Sequence, residues 1–329
     1  MIVDFQHHYV PPEVAQKYGV YSTARSDVKQ GGVAKATMHP KLFDLHAQLQ
    51  DMEEAGVDVA VLSCLLGWDA PIEDCRLIND KFSEAQERSG GRFVGLAHIP
   101  PLQAREAAAE LDRAFSELGL AGVTIPSQVG GEPLDSPNLY GFYQKVCELD
   151  IPIFVHPAMV LNGYELIKDY DLSRIIGREL DLSLAVTRII AGGVFDRFPT
   201  LKFVIAHFGG GIASVKDRLS AKAYRFGTPL KCSFDEYFDL FYFDMSGFED
   251  GETALRCALA GIRPDRMVFA TDYPQDFSGM TTNTGRGVAG IREYVDRIRA
   301  LDLPDSVKAG MLGGTAMTLL RIDETSLGR

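Results

Sequence analysis

Val3-Asp4-Phe5-Gln6-His7-His8-Tyr9-Val10-Pro11, near the start of a 329-residue chain, has the apolar, β-prone beginning of a strand. Side chains alternate across a strand, so Asp4, Gln6 and His8 share one face and His7 points to the other. Two polar groups one pleat apart at a strand end can converge on a metal or a substrate. Taken alone, the stretch fits a plain polar strand end equally well.

Runs of the same kind recur at residues 57–63, 92–98, 121–125, 151–156, 201–207, 240–246 and 266–272. Helical patterns lie between them, at 41–55, 72–88, 104–118, 138–149, 182–195, 212–224, 251–259 and 288–301, with a C-terminal helix at 305–322. In the first of these Leu42, Leu45, Leu49 and Met52 keep helical spacing, and Gly56 follows as a C-cap. About eight strand-helix units with near-continuous apolar strands imply a parallel sheet covered on both faces. A single-domain (β/α)8 TIM barrel over residues 1–329 is the expected fold. Residues 12–40, rich in Gly, Ser, Lys and Pro and lacking a sustained period, read as a long loop or lid. An open doubly wound sheet is the alternative. Its phosphate fingerprint is missing after the first run, and Gly209-Gly210-Gly211-Ile212-Ala213-Ser214 lacks the last glycine of that pattern.

Hydrophobic residues at 46% and charged residues at 24% are ordinary for a globular protein. A formal charge of −12 argues against broad nucleic-acid affinity, since phosphate binding depends on neutralisation by Lys and Arg. It leaves small carboxylic acids open as substrates, because a local cationic pocket can exist in an acidic protein. Five scattered cysteines without Cys-x-x-Cys spacing read as reduced and mostly buried. With no signal-peptide pattern and no apolar run of about 18 residues, the chain is expected to be cytoplasmic, with no membrane partner.

In such a barrel the active site lies at the C-terminal strand ends. Those ends carry Gln6 and His8, His98, His156, His207, Asp244 with Ser246, and Asp272, so five of the seven histidines cluster there when His7 is counted. Gln6, His8, His156 and Asp272 together suit one divalent metal, zinc first and manganese second, with a coordination position left for substrate. Each of them singly fits slightly better as a polar residue satisfied in the core, and their joint placement at the ends of three strands shifts the balance toward a site. A small-molecule pocket combines a few polar groups with many hydrophobic ones, and Trp68, His98, Phe208, Arg225 and Phe277 are candidate substrate-binding residues. Packing is the competing role for the rings, and a surface ion pair for Arg225.

Asp4-Phe5-Gln6-His7-His8-Tyr9-Val10-Pro11, Val155-His156-Pro157, Ala206-His207-Phe208-Gly209-Gly210 and Thr271-Asp272-Tyr273-Pro274 resemble the motifs of the amidohydrolase superfamily. More narrowly they resemble its amidohydrolase-2 branch, with aminocarboxymuconate-semialdehyde decarboxylase and the non-oxidative aromatic acid decarboxylases. Asp51-Met52-Glu53-Glu54-Ala55-Gly56-Val57-Asp58 and Phe195-Asp196-Arg197-Phe198-Pro199-Thr200-Leu201-Lys202 are similar to connecting segments of that branch. The resemblance covers nearly the whole chain. It implies a single metal held by Gln6, His8, His156 and Asp272, with His207 or Asp272 as the catalytic acid, and a homodimer. It implies decarboxylation of an aromatic or unsaturated carboxylic acid, or, as the alternative, hydrolysis of an amide, lactone or C–C bond by metal-bound hydroxide. Gln6 departs from the branch, which usually has His there and in some decarboxylases Glu. Thr315 in Gly313-Gly314-Thr315-Ala316 departs from the usual Asn.

Overall fold

The buried apolar runs form β1 (Val3–His8), β2 (Val59–Ser63), β3 (Phe93–Ala97), β4 (Gly122–Pro126), β5 (Pro152–His156), β6 (Lys202–Ile205), β7 (Tyr242–Asp244) and β8 (Met267–Val268) in a computed structural model that describes residues 1–30, 33–68, 70–247, 251–275 and 287–323. Every residue of β1 to β5 is buried, which explains why β2 to β5 are largely apolar without alternation, whereas β1 carries the polar residues Asp4, Gln6, His7 and His8. The eight strands hydrogen-bond in sequence order, and each paired neighbour runs parallel.

The sheet curls until its ends meet. Phe5 N–H donates to Phe269 O at 2.9 Å and His8 N–H to Tyr273 O at 2.8 Å. Asp4 secures this seam by accepting the Thr271 N–H on Oδ1 at 2.9 Å and the Thr271 hydroxyl on Oδ2 at 2.6 Å, while His7 Nδ1 lies 2.9 Å from the same Oδ2. The sequence places Asp4 beside Gln6 and His8, yet its work is closure of the barrel. The nearly closed eight-stranded ring, flanked by helices, is the expected TIM barrel.

Three segments differ from expectation. Residues 12–40 hold a helix, Pro12–Lys17, and an antiparallel hairpin of Ser26–Gln30 with Val33–Met38. The helix starts on a proline, whose missing N–H costs nothing there, and buries only Val14 and Ala15. So few apolar anchors leave no visible period. Residues 212–224 are a short helix, Lys216–Lys222, between two 3-10 turns. The C-terminal helix is interrupted at Gly310–Gly314, where three glycines in five residues weaken helical propensity and the backbone widens into a π turn.

All five cysteines are unpaired; Cys64 and Cys75 are buried, Cys147 and Cys257 partly so, and Cys232 is exposed, fewer buried than expected. Among the described residues, no helix is long and apolar enough to cross a membrane.

Candidate metal centre

β1, β5 and the turn after β8 bring three side chains to one point at the barrel mouth. One ligand atom from each of His8, His156 and Asp272 lies within 4.8 Å of the others. His8 Nε2 is 2.7 Å from Asp272 Oδ1, and its Nδ1 is 2.9 Å from Ser63 Oγ at the end of β2. His156 donates from Nδ1 to the Pro157 carbonyl at 2.8 Å, which leaves Nε2 free to accept or to bind a cation. The Trp68 indole stacks on the His156 ring with centroids 3.9 Å apart and is itself tied to Thr124 Oγ1 at 2.9 Å. Two imidazoles and a carboxylate, each with a second hydrogen bond fixing its orientation, fit a divalent cation.

Gln6 reaches the same point. Its Nε2 lies 2.7 Å from Asp272 Oδ1 and its Oε1 lies 2.9 Å from Ser246 Oγ. The structure therefore gathers Gln6, His8, His156 and Asp272, which are spread across most of the chain.

His207 follows β6 and stands beside this cluster, its Nε2 3.4 Å from Gln6 Nε2 and 3.9 Å from Asp272 Oδ2. Its Nδ1 lies 2.8 Å from Glu179 Oε1. Burial alone would lower its pKa, but the Glu179 carboxylate, helped by Asp272 and Asp244, raises it to about 10. Asp272 goes the other way: burial would raise its pKa, and the hydrogen bond and charge of His8, with His207 and Gln6, hold it below the usual range. Burial pushes the Asp244 carboxyl up to about 6, against His207 and the N–H groups that it accepts.

Backbone shape contributes as much as side chains. His207, Phe208 and Asp272 all have left-handed φ, between 51° and 55°, a conformation that non-glycine residues adopt only when the surroundings impose it. Gly210 and Gly247 make room for this. A Cβ on Gly210 would stand 1.8 Å from the Glu179 carbonyl oxygen, and one on Gly247 would stand 2.2 Å from the His207 ring. The glycine run after β6 thus serves close packing on the helix that carries Glu179, not phosphate binding.

A cavity of about 300 Å³ opens above the cluster, lined by His8, His156, His207 and Asp272 together with Arg174, Arg178 and Glu179. Ala36 and Thr37 of the hairpin form part of its wall, and Arg174 joins Asp27 and Thr37 of that hairpin to Asp171.

The sequence-derived substrate residues fare unevenly. Trp68 stacks on His156 and lies outside the cavity. His98 is wholly buried and accepts the Cys64 N–H at 2.9 Å, so it braces the chain after β2 and stays out of the cavity. Phe208 turns to a separate apolar recess with Ala254 and Cys257, because the left-handed turn after His207 reverses its direction. Arg225 is exposed and bonds Tyr224, since the helix before it ends early; the guanidinium groups on the cavity wall are those of Arg25, Arg174 and Arg178. Phe277 lies outside the described residues.

Glu179 and Arg178 were not foreseen. Glu179 had a readable signal: it is followed by Leu182, Val186 and Ile189 on the buried face of the helix Arg178–Ala191, where a charge requires a partner.

Comparison with known proteins agrees with this geometry. The family model described as Amidohydrolase matches residues 3–322. The 2-amino-3-carboxymuconate-6-semialdehyde decarboxylase of Dictyostelium discoideum is 26% identical, over 98% of this chain and 92% of its own. The crystal structure of 5-carboxyvanillate decarboxylase from Sphingomonas paucimobilis superposes with a TM-score of 0.81 at 25% identity, covering 98% of this chain and 99% of that one. The 5-carboxyvanillate decarboxylase of Novosphingobium aromaticivorans, solved with manganese and 4-hydroxy-3-methoxy-5-nitrobenzoic acid, superposes at 0.78 with 22% identity, covering 98% and 96%. A match from the first strand to the last helix, on a barrel whose mouth gathers the motif residues, shows that the chain belongs to the amidohydrolase family.

Proposed function

We propose that this protein is a metal-dependent, non-oxidative decarboxylase of an aromatic or unsaturated carboxylic acid. The observation that carries the reading is the convergence of His8, His156 and Asp272 beside His207, in a cavity walled by Arg178. Decarboxylase relatives that span nearly the whole chain support it.

Gln6, His8, His156 and Asp272 would hold the metal. A divalent cation there would supply Lewis-acid positive charge facing the substrate carboxylate and the negative charge that develops during reaction. The two imidazoles suit zinc, while the carboxylate and amide oxygens draw the set toward manganese. Arg178 on the cavity wall orients the substrate, and Trp68, stacked on His156 from outside the cavity, holds that ring in place. His207 is the general acid: Glu179 occupies Nδ1, so the proton offered to the cavity sits on Nε2. That proton adds to the carbon bearing the carboxylate. The C–C bond then breaks, its electron pair returns to the conjugated system, and carbon dioxide leaves. The hairpin wall at Ala36 and Thr37 acts as a lid that keeps water from this step.

Metal-loaded protein is expected to release carbon dioxide from at least one member of a panel of hydroxybenzoates and muconate semialdehydes, and in deuterium oxide to place one deuterium on the product carbon. A panel without release would sink the reading, and solvent oxygen-18 in the product would replace it with hydrolysis.

The helix that supplies Arg178 and Glu179 turns another face outward. Ile176, Leu180 and Leu184 recur every fourth residue and are exposed, at 43%, 50% and 46%. We read this stripe as the contact of a homodimer, and the unpaired cysteines as those of a cytoplasmic protein. Leu180→Asp is expected to shift the sedimenting species from dimer to monomer and to reduce turnover, because the same helix positions Glu179. A wild-type protein that sediments as a monomer at micromolar concentration would remove the dimer from this account.

A further inference from the structure

Ser246 Oγ lies 2.9 Å from Gln6 Oε1 and 2.8 Å from Asp244 Oδ1. A hydroxyl has a single proton, so it cannot donate to both oxygens. Asp244 Oδ1 already accepts the His207 N–H at 2.8 Å and the Ser246 N–H at 3.1 Å. It is an acceptor in either protonation state, since a proton on this carboxyl would sit on Oδ2. The Ser246 proton therefore goes to Asp244, and the side of Ser246 turned toward Gln6 is a lone pair that calls for a donor.

We propose that Gln6 binds the metal through its carbonyl Oε1, with Nε2 donating to Ser246 Oγ and Ser246 donating in turn to Asp244. The two ends of an amide have nearly the same shape, so a half-turn about the last side-chain bond exchanges them without moving a neighbour. After that turn Oε1 stands 2.7 Å from Asp272 Oδ1, and His8 Nε2 stands 2.7 Å from the same oxygen. Donor atoms at adjacent corners of a coordination sphere with bonds near ~2.1 Å are about 3 Å apart, so the spacing is that of three ligands sharing one cation.

Two oxygens held this close repel unless a cation lies between them. The amide is thus a two-way element: its NH2 faces Asp272 when no metal is bound, and its oxygen faces inward when one is. Ser246 and Asp244 are positioning residues that favour the second state. Asp272 is then the one anionic member of the four-residue set, and the centre keeps more positive charge for a chelating anion than Glu at position 6 would leave.

This inference rests on the metal site of the decarboxylase reading, and metal titration separates their failures. Mn2+ is titrated into metal-free protein, with free ion followed by electron paramagnetic resonance and bound water counted by solvent proton relaxation. Wild type is expected to take one equivalent. Gln6→Glu should bind at least about tenfold more tightly, a gain that misfolding cannot imitate. Gln6→Leu should bind about 100-fold more weakly and show one additional bound water. Ser246→Ala should weaken binding by about 10- to 100-fold, and Ser246→Thr should restore it. Wild-type binding with unchanged affinity and water count in Gln6→Leu overturns the ligand assignment and leaves the metal site standing. Unchanged affinity in Ser246→Ala overturns the clamp. Wild type that takes up no manganese overturns both the inference and the site on which it rests.

Discussion

His207→Asn is expected to lower the rate of carbon dioxide release by about 100- to 10,000-fold, the usual range for loss of a positioned general acid, while metal content stays at one equivalent. Asparagine is the informative replacement. His207 has φ of 55°, and Asn tolerates left-handed backbone better than other non-glycine residues, so the turn that carries the imidazole survives its removal. What is lost is the proton on Nε2. Its presence there follows from Glu179, 2.8 Å from Nδ1, which overrides the effect of burial and holds the imidazolium to about pH 10. Glu179→Gln removes that charge and keeps the shape. With the carboxylate gone, burial dominates and the His207 pKa falls, so the alkaline limb of the kcat profile should move to lower pH. A His207→Asn enzyme that turns over within threefold of wild type would place the acid elsewhere.

The parts of this site that could be read from the chain are those that regular structure makes periodic. Runs of strand length recur along the chain, and a barrel obliges every one to end at the same mouth, which is why the sequence alone gathers His8, His156 and Asp272 from the ends of β1 and β5 and just past β8. Side chains placed by irregular backbone left no such trace. Phe208 adjoins His207 in sequence, yet the left-handed turn sends it to a different recess. Arg225 sits after a helix that ends at Lys222, so its side chain stays in solvent. The hairpin at the cavity wall leaves no period in the sequence: its strands pair through their backbone, and its side chains Asp27 and Thr37 bond each other and the distant Arg174 rather than alternating apolar with polar. Glu179 lies between these cases: its position on a buried helix face could be read, but its partner, 28 residues away, could not.

Asp272→Asn is expected to abolish activity at ordinary metal concentrations and to weaken metal binding by more than about 100-fold, exceeding the loss from any positioning residue. Asp272 also has left-handed φ, 51°, which Asn accepts, so the change again isolates chemistry from fold. Gln6, His8 and His156 surround this one carboxylate, and its Oδ1 is the shared corner at 2.7 Å from both His8 Nε2 and Gln6 Nε2. The amide that replaces it offers a weaker oxygen and no charge to balance the cation. Raising the metal concentration distinguishes two contributions. If Asp272 acts only by holding the metal, Asp272→Asn should recover most of its turnover once the site is saturated. If its second oxygen, 3.9 Å from His207 Nε2, also steadies the imidazolium, saturation should restore binding but leave kcat depressed. We expect the second result, because the negative charge of Asp272 is among the influences that raise the His207 pKa, and that influence disappears with the carboxylate however much metal is bound.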